Sequence, residues 1–184
     1  MFILASASPR RKELLGEIVS DFAVLPSREE ERATGNTPSE VVLSLARQKA
    51  ESVAKLHPED TVLGADTIVV KDGKILGKPK SEEDAFSMLS SLSGAEHSVF
   101  TGVCLIAAGK RFSAFAETKV RLFPLSKEEI LSYIATGSPM DKAGAYGIQD
   151  GGIVSSYEGS YTNVVGLPIE IVKDLLRQAE VNYE

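Results

Sequence analysis

Ser6-Ala7-Ser8-Pro9-Arg10-Arg11 follows a short apolar run and opens a helix, gathering hydroxyls, free backbone N–H groups and guanidiniums at one helix N-terminus. Such a grouping suits capture of phosphate. The same residues would equally make an ordinary capped helix with solvated arginines. Further on, Gly64-Ala65-Asp66-Thr67 sets a carboxylate in a β-branched run, and Gly77-Lys78-Pro79 follows. A carboxylate in an apolar strand is expensive to bury unless paired or metal-bound, so Asp66 is expected at a strand end facing a site. Its structural alternative is an aspartate that bonds the backbone of its own turn. Asp141-Lys142-Ala143-Gly144-Ala145-Tyr146-Gly147-Ile148-Gln149 combines opposite charges, glycines and a side-chain amide with almost no periodicity. That composition is better suited to gripping a ligand than to filling a core. A phosphate grip, an isolated acid and an amide reader together point to an enzyme acting on a nucleotide.

Other candidates read two ways. Glu29, Glu30 and Glu31 make a solvated acidic loop, or supply a hard oxygen to Mg²⁺, which takes one or two carboxylates plus substrate phosphates and water. Lys49 either snorkels to solvent or, beside Ala46 and Ala50, reaches into a cleft. His57 and His97 lack metal-ligand spacing and read as a surface and a structural histidine. Cys104, within Val103-Cys104-Leu105-Ile106, reads as a small core residue. Gly77-Lys78 precedes Pro79, not Ser or Thr, so there is no Walker pattern, and no dinucleotide-type glycine fingerprint follows any strand.

The elements that must position these residues alternate. Phe2–Leu4 reads as a strand, and Ser8 with Pro9 starts a helix carrying Leu14, Leu15 and Ile18. Phe22–Leu25 is a second strand, 27–36 a polar loop, and Ser39 the expected cap of a long helix bearing Val42, Leu45, Ala46, Lys49 and Val53. Thr61–Val70 is a buried strand turned at Asp72-Gly73 into Lys74–Leu76. Ser81 with Asp84, and Ser126 with Glu129, have capping-box spacing. Val99–Ala108 and Arg111–Leu122 form a long pair about Gly109, and Pro168–Ala179 closes as a helix. The pattern is α/β with a mixed sheet and flanking helices.

With 184 residues the chain suits a single domain, residues 1–184, without linker or internal repeat. No apolar run approaches the roughly 18 residues of a membrane span. Phe2-Ile3-Leu4 is too brief and wrongly flanked for a secretory signal, and a lone cysteine suits a reducing compartment, so the expected location is the cytoplasm. A net charge of −6 argues against long nucleic acid. The basic residues are focused at Arg10, Arg11, Lys12, Lys49, Lys78 and Lys142, which suits a compact polyanion such as a triphosphate.

In order along the chain, Ala5 through Arg11 with Glu13-Leu14-Leu15, Ala46-Arg47-Gln48-Lys49-Ala50, Gly64 through Thr67, Gly77-Lys78-Pro79, Leu92-Ser93-Gly94 with His97 and Val99, Asp141 through Gln149 and Val165-Gly166-Leu167-Pro168 resemble the Maf family of nucleoside triphosphate pyrophosphatases. The resemblance implies an elongated α/β fold with a deep central cleft, like that of the inosine triphosphate pyrophosphatases. It also implies cleavage between the α and β phosphates with a divalent cation, Mg²⁺ or Mn²⁺, and is compatible with a homodimer. Asp66-Thr67 and Gly147-Ile148-Gln149 are similar to the dTTP/UTP branch, with modified pyrimidine nucleotides as further substrates. Asp150 stands where the family commonly has Gly, and Arg28 where it has an apolar residue.

By this resemblance Asp66 is the general base or holds a metal-bound water, and Glu30 joins it as metal ligand. Ser8, Arg10, Arg11, Lys49, Lys78, Asp141 and Lys142 bind substrate, and Arg10, Thr67 and Gln149 set base preference. Gln149 offers both a donor and an acceptor to the imide edge of uracil or thymine. The rival reading is a regulatory module that binds a division protein, which would need an exposed apolar patch and would survive loss of Asp66.

Overall fold

The computed structural model describes residues 1–183. Along the chain run β1 (Phe2–Leu4), α1 (Pro9–Gly16), β2 (Ala23–Val24), α2 (Pro38–Ala54), β3 (Thr61–Lys71), β4 (Lys74–Leu76) and α3 (Glu82–Leu92). Then follow β5 (Glu96–Ala107), β6 (Lys110–Leu122), α4 (Lys127–Ala135), two 3₁₀ turns (Ser138–Asp141 and Ala143–Ala145), β7 (Val154–Glu158), α5 (Tyr161–Val165) and α6 (Ile169–Gln178). Among the described residues the sheet has seven strands, in the order β2-β1-β3-β5-β6-β7, with β4 also on β3. It is mixed, as expected: β1 runs parallel to β2 and β3, whereas β3–β4 and β6–β7 are antiparallel.

Local chemistry explains most boundaries. Ser8 caps α1 by accepting from the Arg11 N–H at 3.3 Å, with Pro9 in the first turn where its missing N–H costs nothing. The cap of α2 is Thr37, not Ser39. Thr37 Oγ1 accepts from Glu40 N while Glu40 Oε2 accepts from Thr37 N, and Pro38 occupies the first turn. Ser39 is thus already the second helical residue, two positions past the cap, because Pro38 fixes the helical start ahead of it. Asp72 and Gly73 both have positive φ, 50° and 76°, the geometry a two-residue hairpin needs. Ala108 and Gly109 repeat it between β5 and β6.

By its internal contacts the chain divides into two compact units, Met1–Thr67 with Thr101–Ala116 and Gly166–Glu184, and Ile68–Phe100 with Glu117–Val165. In the first, the small faces of Ala46 and Ala50 on α2, with Val53, pack on Ile3, Ala5, Val62 and Cys104. In the second, Leu89 and Leu92 of α3 and Ile130, Tyr133 and Ile134 of α4 meet Val99, Val120 and Leu122. Among the described residues no helix is long and apolar enough to cross a membrane.

Candidate active site

In the first unit the site is built where β3 passes under α2. A Cβ on Gly64 would lie 2.6 Å from the Ala46 carbonyl oxygen and 2.8 Å from the Ala50 nitrogen, so only glycine admits the helix backbone this close to the strand. One turn on from Ala46, Lys49 then reaches along β3 to Asp66. Its Nζ donates to Asp66 Oδ1 at 2.7 Å and lies 3.5 Å from both the Ala65 carbonyl and Glu31 Oε1. The Lys49 and Asp66 side chains are only 15% and 14% exposed. Asp66 lies in the middle of β3 and not at the strand end expected for it, and it is bonded to a lysine from another element and not to turn backbone.

Arg11 points inward. Its Nε donates to the Gly166 carbonyl at 2.7 Å, its Nη2 to Thr67 Oγ1 at 3.0 Å and its Nη1 to Ser6 Oγ at 3.3 Å. Thr67 Oγ1 also meets Thr101 Oγ1 at 2.8 Å. Burial lowers the Arg11 pKa from its ordinary value, and the Asp66 charge opposes that shift. The guanidinium thus ties the start of α1 to the Asp66-Thr67 step and to the turn before α6. Arg10 and Ser8 are half-buried at the same helix start.

Of the acidic loop, Glu31 comes to Lys49, whereas Glu30 is 83% exposed and lies 3.7 Å from Arg32. No group of three or more metal-ligating side chains occurs among the described residues. A site completed by substrate phosphates and water needs fewer protein donors. Asp66 and Glu31 already converge on one cation, the Lys49 ammonium, and their hard oxygens fit a divalent ion by the chemistry of the donor set.

In the second unit the Gly144 N–H donates to the Gly77 carbonyl at 3.1 Å, holding the Gly77-Lys78-Pro79 segment against the 3₁₀ turn. Gly144 adopts φ 72°, and a Cβ there would meet Val69 Cγ2 at 3.0 Å. Lys78 and Gln149 are exposed, with side chains that no hydrogen bond engages among the described residues. Lys142 is occupied locally: its Nζ donates to the Ser138 carbonyl at 2.7 Å, to Ser138 Oγ at 2.9 Å and to Asp141 Oδ1 at 3.1 Å. His97 is buried with Nε2 2.5 Å from Tyr146 Oη, and burial brings its pKa down to about 4. It is a core residue.

Sequence reasoning thus named Lys49 and Asp66, which meet, but did not foresee Thr101, Tyr133, Ser138 or the bonds of Asp150. Tyr133 sits at core spacing between Ile130 and Ile134, and nothing in its neighbours signals that its hydroxyl is used.

An α/β architecture with this mixed sheet resembles the solved structure of the Staphylococcus aureus Ham1 protein, with a TM-score of 0.56 at 15% identity over 96% of this chain and 98% of that one. At that identity the likeness concerns the fold. Residues 1–179 match the Maf-like protein family, and the chain belongs to it. Relatives described as dTTP/UTP pyrophosphatases include those of Carboxydothermus hydrogenoformans, 50% identical across 95% of this chain and 96% of the relative. Those of Thermococcus gammatolerans (51% identical; 94% and 93% covered) and Thermococcus onnurineus (52%; 94% and 94%) carry the same description.

Proposed function

We propose that this protein is a nucleoside triphosphate pyrophosphatase of nucleotide metabolism that hydrolyses dTTP and UTP to the monophosphate and pyrophosphate. The observation that carries the reading is the Lys49–Asp66 pair, an acid on a strand held by one half-buried ammonium that phosphate can claim. Near-full-length relatives of that description support the substrate class. Water attacks the α-phosphorus with pyrophosphate leaving, and Asp66 takes the proton from that water. Ser8, Arg10, Lys49, Lys78 and Lys142 carry phosphate charge, with Asp141 orienting Lys142. Arg11 holds Thr67 in place beside the acid. Such positioning and charge neutralisation are what phosphoryl transfer chiefly needs.

A divalent ion, Mg²⁺ or Mn²⁺, would be held by Asp66 with Glu30 or Glu31, and would supply neutralisation of phosphate charge and acidification of water. Gln149, with Thr67 and Arg10, selects the base. The cytoplasm is the proposed location, supported by the buried free thiol of Cys104, and a homodimer the proposed assembly.

The test is pyrophosphate release from dTTP, UTP, CTP and GTP with Mg²⁺, for the wild type and Gln149→Glu. Cytosine reverses the imide's donor and acceptor pattern and leaves a group unpaired, at a cost of about 1–3 kcal/mol. The kcat/KM for dTTP and UTP should therefore exceed that for CTP by roughly ten- to a hundredfold. Gln149→Glu should narrow the gap, since a carboxylate cannot donate to the pyrimidine carbonyl. No pyrophosphate from any triphosphate would refute the enzyme, and an unchanged ranking in the variant would remove Gln149 from base selection.

A further inference from the structure

Gln149 stands on a four-residue turn, Gly147–Asp150, closed by the Asp150 N–H donating to the Gly147 carbonyl at 3.0 Å. Both ends of that turn are tied to one hydroxyl. Tyr133 Oη accepts from the Gly147 N–H at 3.0 Å and donates to Asp150 Oδ2 at 2.5 Å. The same carboxylate oxygen accepts from Ser138 Oγ at 2.6 Å, and Ser138 Oγ accepts from Lys142 Nζ at 2.9 Å. The Lys142 stem closes the other side: a Cβ on Gly147 would lie 2.8 Å from Lys142 Cε and 3.2 Å from Asp150 Oδ2. Tyr133 itself is fixed from below, its ring buried in the core with Ile130 and Ile134 on α4.

From this geometry we propose that Tyr133 and Asp150 are positioning residues for base selectivity, clamping the turn so that Gln149 is presented in one place. The inference rests on the reading of Gln149 as the base selector. An exposed glutamine has several rotamers, and it can discriminate by paired hydrogen bonds only if its backbone is held to within about half an ångström. The side chain of Gln149 has no bond of its own to supply that constraint among the described residues. The clamp supplies it from the core. Burial, and then the bond to Asp150, raise the Tyr133 pKa above its ordinary value, so the hydroxyl remains a donor over the working pH range.

The experiment measures kcat and KM for dTTP and CTP in wild type, Tyr133→Phe and Asp150→Ala, with a thermal melt of each. Tyr133→Phe keeps the ring in the core and removes only the hydroxyl. The dTTP:CTP ratio of kcat/KM should fall by about tenfold, because a displaced selector loses the cognate base while the phosphate contacts, which do not sense the base, leave CTP where it was. A ratio within about twofold of wild type in a folded Tyr133→Phe overturns the inference, as does an equal loss on both substrates, which is what a merely structural clamp would give. If Tyr133→Phe does not fold, Asp150→Ala decides by the same criteria. A wild type that does not discriminate between dTTP and CTP defeats the Gln149 reading and this inference with it. A discriminating wild type whose ratio survives in the variants defeats the inference alone.

Discussion

Replacing Asp66 by asparagine removes one charge and almost no volume, and so separates the chemical role of the carboxylate from its part in the fold. The Lys49–Asp66 contact is 2.7 Å. At an effective dielectric of about 20 the gross attraction over that distance is roughly 6 kcal/mol. Most of it is offset by taking two ions out of water. The amide still accepts a hydrogen bond from Lys49, and Glu31, 3.5 Å from the same ammonium, keeps the lysine compensated. A net loss of about 1–2 kcal/mol is expected, which for a chain of this size lowers Tm by roughly 2–8 °C. A protein with an ordinary stability of about 5–15 kcal/mol remains folded at 25 °C. Removing a general base, by contrast, costs a factor of about 10² to 10⁴, or roughly 3–5 kcal/mol in the barrier. Pyrophosphate release from saturating dTTP, with a thermal melt on the same preparation, reads both quantities. A folded Asp66→Asn that turns over within about tenfold of wild type would show that Asp66 only holds Lys49 in place, and the proposed mechanism would be wrong.

Arg11→Lys should destabilise by about 2–4 kcal/mol, because one ammonium cannot serve the Gly166, Thr67 and Ser6 acceptors together. A denaturation midpoint equal to wild type would show that the inward strut is dispensable. For His97 the folded pKa is about 4 against an ordinary 6.5, so between those values the unfolded chain binds the extra proton. Stability should therefore be level above pH 6.5 and fall as pH drops toward 4, by on the order of 3 kcal/mol, a slope that His97→Gln should abolish. Urea titrations from pH 4 to 8 on both proteins check this, and parallel curves would contradict it.

How far the sequence foretells this arrangement depends on whether the signal is local. The Ser8 cap and the Asp72-Gly73 turn follow from residues a few positions apart, the mixed sheet from the order of strands and helices, and all three stand as expected. The helix of Pro38–Ala54 is legible in its apolar spacing, but its cap is Thr37 and not the expected Ser39, a choice signalled by Pro38 at the first helical position and by Glu40 three residues after Thr37. The short strand Val154–Glu158 and the five-residue helix Tyr161–Val165 escaped, the first with a largely exposed pattern and the second too short for any period. In the site, Lys49 and Asp66 were named singly. Their meeting depends on Gly64 admitting a helix backbone against β3, a tertiary fact that a glycine in a strand only hints at. By the family resemblance Arg11 is a phosphate ligand. Its three internal acceptors come from residues 6, 67 and 166, and no local rule brings them together.

The internal occupation of the cations bears on how a protein of net charge −6 would take a polyanion. Arg11 is spent on the fold, and Lys142 on Ser138 and Asp141. Lys49 carries two carboxylates, at 2.7 and 3.5 Å. On the proposed function, phosphate can be met by Lys78, whose side chain no hydrogen bond engages among the described residues, whereas at Lys49 and at Lys142 it must exchange partners with groups already bonded. For Lys142 the exchange is local, since its competitors are neutral apart from an exposed Asp141. For Lys49 it has a chemical consequence. On the proposed mechanism, as the ammonium shifts toward phosphate it gives up its hydrogen bond to Asp66 Oδ1, and that oxygen is then free to accept from the attacking water.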